Sequence, residues 1–299
     1  MRGKSSSIQT KSDGPVKLSL MDTRNQLHRL GARARKGLGQ HFLVDRGALE
    51  KIISAAQLAS TDTVIEVGPG LGILTEELVK EAGKVIAVEA DPKLASSLQK
   101  RLSKFPQLTV INADILQLDP IELIDRKRHY KVVANLPYYI AAPILRHFLE
   151  ASLKPSLMVV MVQKEVGQSM VAAPGNLSIF AISVQLYGKP TIVDYVPAQS
   201  FYPEPKVDSA IVRIEVYPEP AVQVADIAGF FEMVKAGFSA PRKQIRNSLA
   251  LGLQLDSAEV VELLEQAGIA TQRRPETLSL EEWASLHRAF ASKDINIKE

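Results

Sequence analysis

Glu66-Val-Gly-Pro-Gly-Leu-Gly72 is the stretch on which the reading of this 299-residue chain turns. The residues leading into it, Thr63-Val-Ile-Glu-Val67, read as a buried strand. From Ile73 to Val79 apolar residues return at helical spacing, with Thr75 and two glutamates in the first turns. Glycines between a strand and a helix allow positive φ and let the backbone approach a ligand closely. A second strand, Lys84-Val-Ile-Ala-Val88, ends in Glu89 and Asp91. That is roughly the twenty-residue offset at which a doubly wound fold places an acid on ribose hydroxyls. A third, Leu108 to Asn112, ends in Asp114. Successive strands tipped by polar groups predict an α/β, Rossmann-like fold with a nucleotide crevice at the carboxyl ends of a mostly parallel sheet.

A nicotinamide dinucleotide and S-adenosylmethionine can both occupy such a crevice, and two residues favour the second. Glu66 stands inside the strand just before the glycines, and Pro69 stiffens a loop in which a pyrophosphate would need free backbone N–H groups. The reaction is suggested by Asn135-Leu-Pro-Tyr138, which follows the apolar strand Lys131-Val-Val-Ala134 and so lies at the same edge of the sheet. An exocyclic adenine nitrogen is a poor nucleophile because its lone pair is delocalised into the ring. Acceptors for its two hydrogens, the Asn135 side-chain oxygen and a neighbouring backbone carbonyl, favour a pyramidal nitrogen with a localised pair. Pro137 fixes the backbone direction, and the Tyr138 ring offers a stacking face worth roughly 1–3 kcal/mol per base. Positioning and preorganised electrostatics then carry the chemistry without a general base.

Five segments in order carry a resemblance to a known family. They are Gly39-Gln-His-Phe-Leu43, Glu66 to Gly72, Asn135 to Tyr138, Phe201-Tyr-Pro-Glu-Pro-Lys-Val-Asp-Ser209 and Arg242-Lys-Gln-Ile-Arg-Asn-Ser-Leu249, with Arg273-Arg-Pro-Glu-Thr-Leu-Ser279 beyond them. From about Lys36 onward the chain resembles the KsgA-type small-subunit rRNA adenine dimethyltransferases. The resemblance implies a class I methyltransferase domain with a seven-stranded, mostly parallel sheet, helices on both faces and a small all-helical C-terminal domain. It implies S-adenosylmethionine as cofactor, with the segment from Gln40 folded over it. His41, Leu43, Gly68 and Gly70 would then contact the cofactor, Glu89 its ribose and Asp114 its adenine amino group. Asn135 would face the reactive centre beside Leu136, with Tyr138 and Phe201 clamping a flipped adenine between them. The implied substrate is 16S rRNA within the 30S subunit or its precursor, dimethylated at N6 of two adjacent adenosines near its 3′ end. Two other functions are carried: an Erm-type 23S rRNA adenine methyltransferase, and a non-catalytic small-subunit assembly factor. The chain departs from the family pattern in the short Ala173-Pro-Gly-Asn-Leu-Ser178 stretch, in Ala141 and Ala142, and at Pro241.

Charge is unevenly placed. The whole chain carries +3, but residues 1 to 40 hold nine Lys or Arg against Asp13 and Asp22, a net +7, which leaves the remainder at −4. Residues 1–35 read as a basic, disordered arm. Arg33, Arg35 and Lys36, at its junction with the cofactor-covering segment, are candidates for rRNA phosphates. Residues 36–220 read as the methyltransferase domain, closed by an alternating strand from Ala210 to Val216 and broken by Pro218 and Pro220. Residues 221–299 read as helical and RNA-binding. There Arg242, Lys243 and Arg246, behind Pro241, are expected on the first turn of one helix, facing one way. Zero cysteines excludes disulfides and thiolate metal sites. No metal site is expected, because the histidines lack ligand spacing with carboxylates. Trp283 reads as a core anchor of the helical part. With no signal segment or membrane-length apolar run, the expectation is a cytoplasmic monomer.

Overall fold

The computed structural model describes residues 25, 40–124 and 129–292. It begins with a two-residue strand, β1 (Phe42–Leu43), and helix α1 (Arg46–Ala56). The Asp45 carboxylate caps that helix by accepting the Ala48 amide at 3.1 Å. Strand β2 (Thr63–Val67) is buried along its whole length and leads through the glycines to α2 (Ile73–Glu81). Next come β3 (Lys84–Glu89), α3 (Pro92–Arg101), β4 (Leu108–Asn112) and the short α4 (Pro120–Leu123). β5 (Tyr130–Asn135), α5 (Ala141–Leu149), β6 (Leu157–Gln163), α6 (Lys164–Met170) and α7 (Ile179–Tyr187) follow. The sheet is completed by β7 (Gly188–Val196) and β9 (Ser209–Val216), while β8 (Phe201–Tyr202) pairs with β1 in a separate two-stranded ribbon.

The central sheet has the order β4-β3-β2-β5-β6-β9-β7. β4 to β6 are mutually parallel, and β9 runs antiparallel to both neighbours. The seven strands, mostly parallel, match the expectation. Apolar residues run almost unbroken through β2 and β6 because helices cover both faces. One face carries Val64, Val85, Val133 and Val159 against Ile52 of α1 and Leu78 of α2. The other carries Ile65, Ile86, Val132 and Val160 against Ile144 and Phe148 of α5. Neighbouring residues alternate between the two clusters, as the period of two requires. The strand order reverses between β2 and β5, which opens a crevice outside their carboxyl ends.

Beyond β9 the chain is helical, with α8 (Ile227–Gly237), α9 (Ile245–Leu253), α10 (Ser257–Gln266) and α11 (Leu280–Ala291). Trp283 is fully buried and stacks on Phe238 with ring centroids 5.9 Å apart, so the anchor role is met. Its cluster is continuous with the sheet face that carries α5. The Arg273 to Ser279 segment turns out to be a joint. Arg273 binds Glu282 and the Thr277 carbonyl, and Ser279 with Glu282 forms a capping box on α11. The Glu276 carbonyl accepts the amides of Gly175 at 2.8 Å and Leu177 at 3.2 Å, which docks the short 173–178 stretch there.

The expected basic helical face is corrected. Residues 241–244 form a turn, and α9 starts only at Ile245, with Gln244 extended at φ −64° and ψ 150° as its N-cap. The Ala240 carbonyl accepts the Lys243 amide at 2.8 Å and the Ser248 hydroxyl at 3.0 Å, fixing that turn. Arg242 and Lys243 are exposed on it. Arg246 lies half-buried in α9 with its Nε enclosed and without a hydrogen-bond partner. The three therefore do not share one helix face. Arg33, Arg35 and Lys36 lie outside the described residues. Among the described residues, no helix is long and apolar enough to cross a membrane, and no group of acids and histidines could hold a metal ion.

Candidate active site

The floor of the crevice is built by strand tips. Gly68, Gly70 and Gly72 adopt φ of +64°, +56° and +73°, so the loop can turn only with residues that tolerate the left-handed region. A side chain at Gly70 would also press on Phe42, with its Cβ 2.9 Å from that ring. The Arg101 guanidinium reaches from α3 to the Leu71 carbonyl and to Glu76, bracing the loop from behind. At the tip of β3 the Glu89 carboxylate accepts the amides of Gly70 at 3.0 Å and Asp91 at 2.9 Å. Burial raises its pKa, and those two amides oppose the rise.

Glu66 is the more unusual acid. It is 1% exposed, and its Oε2 has no hydrogen-bond partner among the described residues; nor has Oγ1 of the buried Thr75. Burial, reinforced by nearby Glu89 and opposed by Thr75, pushes the Glu66 carboxyl up to about 8. A buried acid without a full set of donors beside a cavity is a seat for a cationic group.

The roof is the β1–β8 ribbon. His41 Nδ1 lies 2.6 Å from the Pro203 carbonyl, and the Asn135 amide nitrogen donates to the His41 carbonyl at 3.1 Å. Holding the nitrogen of Asn135 in this way orients the other end of its amide, the acceptor oxygen. The Leu136 amide donates to Met161 of β6 at 3.0 Å, which ties the turn to the sheet. Tyr138 is half-buried, stacks on His41 at 5.3 Å with a 25° interplanar angle, and shares a 2.5 Å hydrogen bond with the Ser209 hydroxyl. Burial is the largest cause of its raised pKa. The roof is tethered to α1 by Ser200, whose hydroxyl donates to Asp45 at 2.7 Å.

Floor and roof enclose two adjoining cavities of about 90 and 150 Å³, both lined by Gln40, Gly68, Glu89 and Pro137. The first also takes in His41, Leu43, Glu66, Gly70, Asn135, Leu136 and Tyr138, and the second takes in Asp114 and Tyr139. The structure thus brings together every sequence-predicted cofactor residue, and the catalytic candidates except one. Phe201 is 2% exposed, belongs to the core cluster with Leu43 and Ile52, and lines neither cavity. Its ring packs into that cluster rather than toward either cavity. Phe42, the Pro203 carbonyl and Tyr139 are parts of the site that sequence reasoning did not single out; only the aromatic character of the first and last could have drawn notice.

A seven-stranded sheet with one antiparallel strand at β9, a glycine turn after β2 and an acid at the tip of β3 defines a Rossmann-like class I methyltransferase fold. A solved 23S rRNA methyltransferase, ErmE, is similar at TM-score 0.67 and 30% identity, over 84% of this chain and 99% of that one. A dimethyladenosine transferase from Plasmodium falciparum is similar at TM-score 0.75 and 27% identity, over 86% and 100%. Ribosomal RNA small subunit methyltransferase A of Dehalococcoides mccartyi is 53% identical over 85% of this chain and 87% of its own length. The protein of that name from Moorella thermoacetica is 43% identical over 87% and 93%. The family model described as ribosomal RNA adenine dimethylase matches residues 31–292. The chain belongs to that family, and it is an rRNA-modifying adenine dimethyltransferase of the kind that uses S-adenosylmethionine.

Proposed function

We propose that this enzyme methylates N6 of two adjacent adenosines in the 3′-terminal hairpin loop of 16S rRNA. It would act as a monomer in the cytoplasm, on the 30S subunit or its precursor, as a step in small-subunit biogenesis. The reading rests on Asn135. Its amide nitrogen is occupied by the His41 carbonyl at 3.1 Å, so its oxygen is left to receive an amino hydrogen at the edge of a cavity that also holds Glu66. The similarity to the small-subunit methyltransferases supports the choice of rRNA.

The residues fit S-adenosylmethionine. Glu66 holds a buried carboxylate oxygen in the cavity lining that a cationic group would satisfy, Glu89 presents a carboxylate at the ribose position, and Asp114 stands in the adjoining cavity. When bound there, the cofactor would supply a methyl group on a positively charged sulfur. The chain's part is positional. Asn135 and the Leu136 carbonyl accept the two amino hydrogens and direct the nitrogen lone pair, Pro137 fixes the direction of the turn, and Tyr138 supports the base. Gln40, His41 and Leu43 line the site beside them. Residues 36–220 supply this chemistry. Residues 221–299, with Arg242 and Lys243 at an exposed turn and Arg33, Arg35 and Lys36 ahead of the roof, grip RNA phosphates.

The test is transfer of labelled methyl from S-adenosylmethionine to small subunits lacking the 3′-terminal dimethyladenosines, analysed by nucleoside mass spectrometry. N6,N6-dimethyladenosine is expected from the wild type, with a rate at least about 100-fold lower for Asn135→Ala. The likeness to ErmE makes a large-subunit substrate the second reading. Methylation of protein-free 23S rRNA in place of small subunits would establish it. Tight small-subunit binding with no transfer to either RNA would leave an assembly factor.

A further inference from the structure

We propose that Tyr139 is a second, outer stacking platform, which receives the nucleotide next to the target adenosine. The proposal rests on the reading of the site as an RNA methyltransferase centre.

Tyr138 and Tyr139 follow one another, yet they are placed differently. The Tyr138 ring is covered by His41 and its hydroxyl is engaged by Ser209, so it belongs to the enclosed part of the site. Tyr139 is 56% exposed, the most exposed aromatic among the large hydrophobic residues in the described part of the chain. An exposed ring in isolation is ordinary on a protein surface. This one is neither isolated nor free to wander. It sits in a single helical turn, Tyr138–Ile140, closed by the Ile140 amide on the Pro137 carbonyl at 3.2 Å, and that turn begins at the proline fixing Asn135. The residue lines the 150 Å³ cavity together with Asp114 and Ile140.

An unpaired base entering the crevice must drag its neighbours to the rim, because consecutive bases are tied by one backbone. A ring at that rim offers a sequence-tolerant surface on which the neighbouring base regains the stacking lost on extrusion. The cofactor's adenine is the other flat group nearby. Tyr139 lines the 150 Å³ cavity together with Val88, Ile115, Pro137 and Ile140, but more than half of its side chain lies outside it, and that exposed part is what a second flat group can use. Three residues further on, Ala142 and Pro143 line a separate groove of about 600 Å³ whose polar rim includes Arg146, His147, Glu150 and Lys235.

The experiment compares Tyr139→Ala, Tyr139→Leu and Tyr139→Phe with the wild type on undermethylated small subunits, alongside equilibrium binding of S-adenosylmethionine. Expected results are an apparent KM for subunits about tenfold higher for the Ala and Leu variants, near-wild-type behaviour for Phe, and a change in cofactor affinity of no more than about twofold in all three. An unaltered KM in the Ala variant overturns the proposal, as does full retention by Leu, which keeps bulk without a π face. A parallel weakening of cofactor binding reassigns the ring to the cofactor's adenine and also overturns it. Wild-type enzyme that fails to methylate the subunits sinks the substrate reading, and this inference with it. A wild type that methylates while the variants match it sinks this inference alone.

Discussion

The floor of the crevice and its roof are held by different physics. The floor consists of strand ends joined to helices a few residues away, and its shape follows from positive φ at three glycines and carboxylates on local amides. The roof joins segments far apart in the chain. His41 meets Pro203, Val44 meets Ser200 at 2.8 Å, and Asp45 meets Ser200, with side chains making much of the connection. Local backbone geometry makes the floor stiff, while long-range hydrogen bonds of modest individual worth leave the roof the easier part to release.

The largest expected effect tests the floor. Gly72→Ala places a Cβ 2.2 Å from Leu98 at φ +73°, so stability should fall by about 3 kcal/mol, read from the urea midpoint, with amide protection lost throughout the sheet. A smaller loss tests the roof. Asp45→Ala removes both the cap on α1 and the Ser200 tether, and should cost about 2 kcal/mol. Hydrogen exchange should then quicken at residues 40–45 and 198–203 while β2 to β5 keep their protection. Equal loosening of floor and roof would erase the distinction. The wild-type Asp45 carboxylate also has a pH signature that this variant lacks. The Ser200 hydrogen bond is the main cause of the lowered Asp45 pKa, so this stabilisation is present above the ordinary value of 3.8 and lost as pH falls through the lower folded value.

The smallest expected effect concerns Glu66. Its folded pKa of about 8 lies above the ordinary 4.5, so the folded protein binds the extra proton and stability declines as pH rises between those values. Glu66→Gln mimics the protonated acid and should flatten that decline, exceeding the wild type by about 1 kcal/mol at pH 9 in thermal melts without cofactor. A wild-type profile flat from pH 5 to 9 would show that Glu66 ionises without hindrance.

The same division explains what could be read from sequence. The strand–glycine–helix unit at Thr63–Val79 and the acid-tipped strands are written in consecutive residues with a clear period, and each lies where the pattern placed it. The roof was legible only as motifs resembling those of a family. Nothing local to Phe42 or Phe201 says that they pair with Tyr202 and Leu43 across the ribbon, or that Phe201 turns inward to the core. Strand β7 carries Gly188 and Pro190, residues poorly suited to a central strand; the sheet edge tolerates them because a ladder on one side suffices. The misplaced start of α9 has a similar origin. Pro241 suits a first helical turn, but the Ala240 carbonyl is committed to a tight turn by Lys243 and Ser248.

The position of β9 also has a consequence for how the chain comes into being. Synthesis delivers β7 before β9, yet in the finished sheet β9 lies between β6 and β7, and β7 pairs with no other strand of that sheet. While the ribosome makes the intervening residues, β6 has an unpaired edge and β7 has no partner. The nascent chain must keep both from mispairing until β9 arrives, and the core face shared with Phe230 and Trp283 is completed later still. The sheet of an enzyme that modifies rRNA thus cannot close until Val216 of its 299 residues has been made.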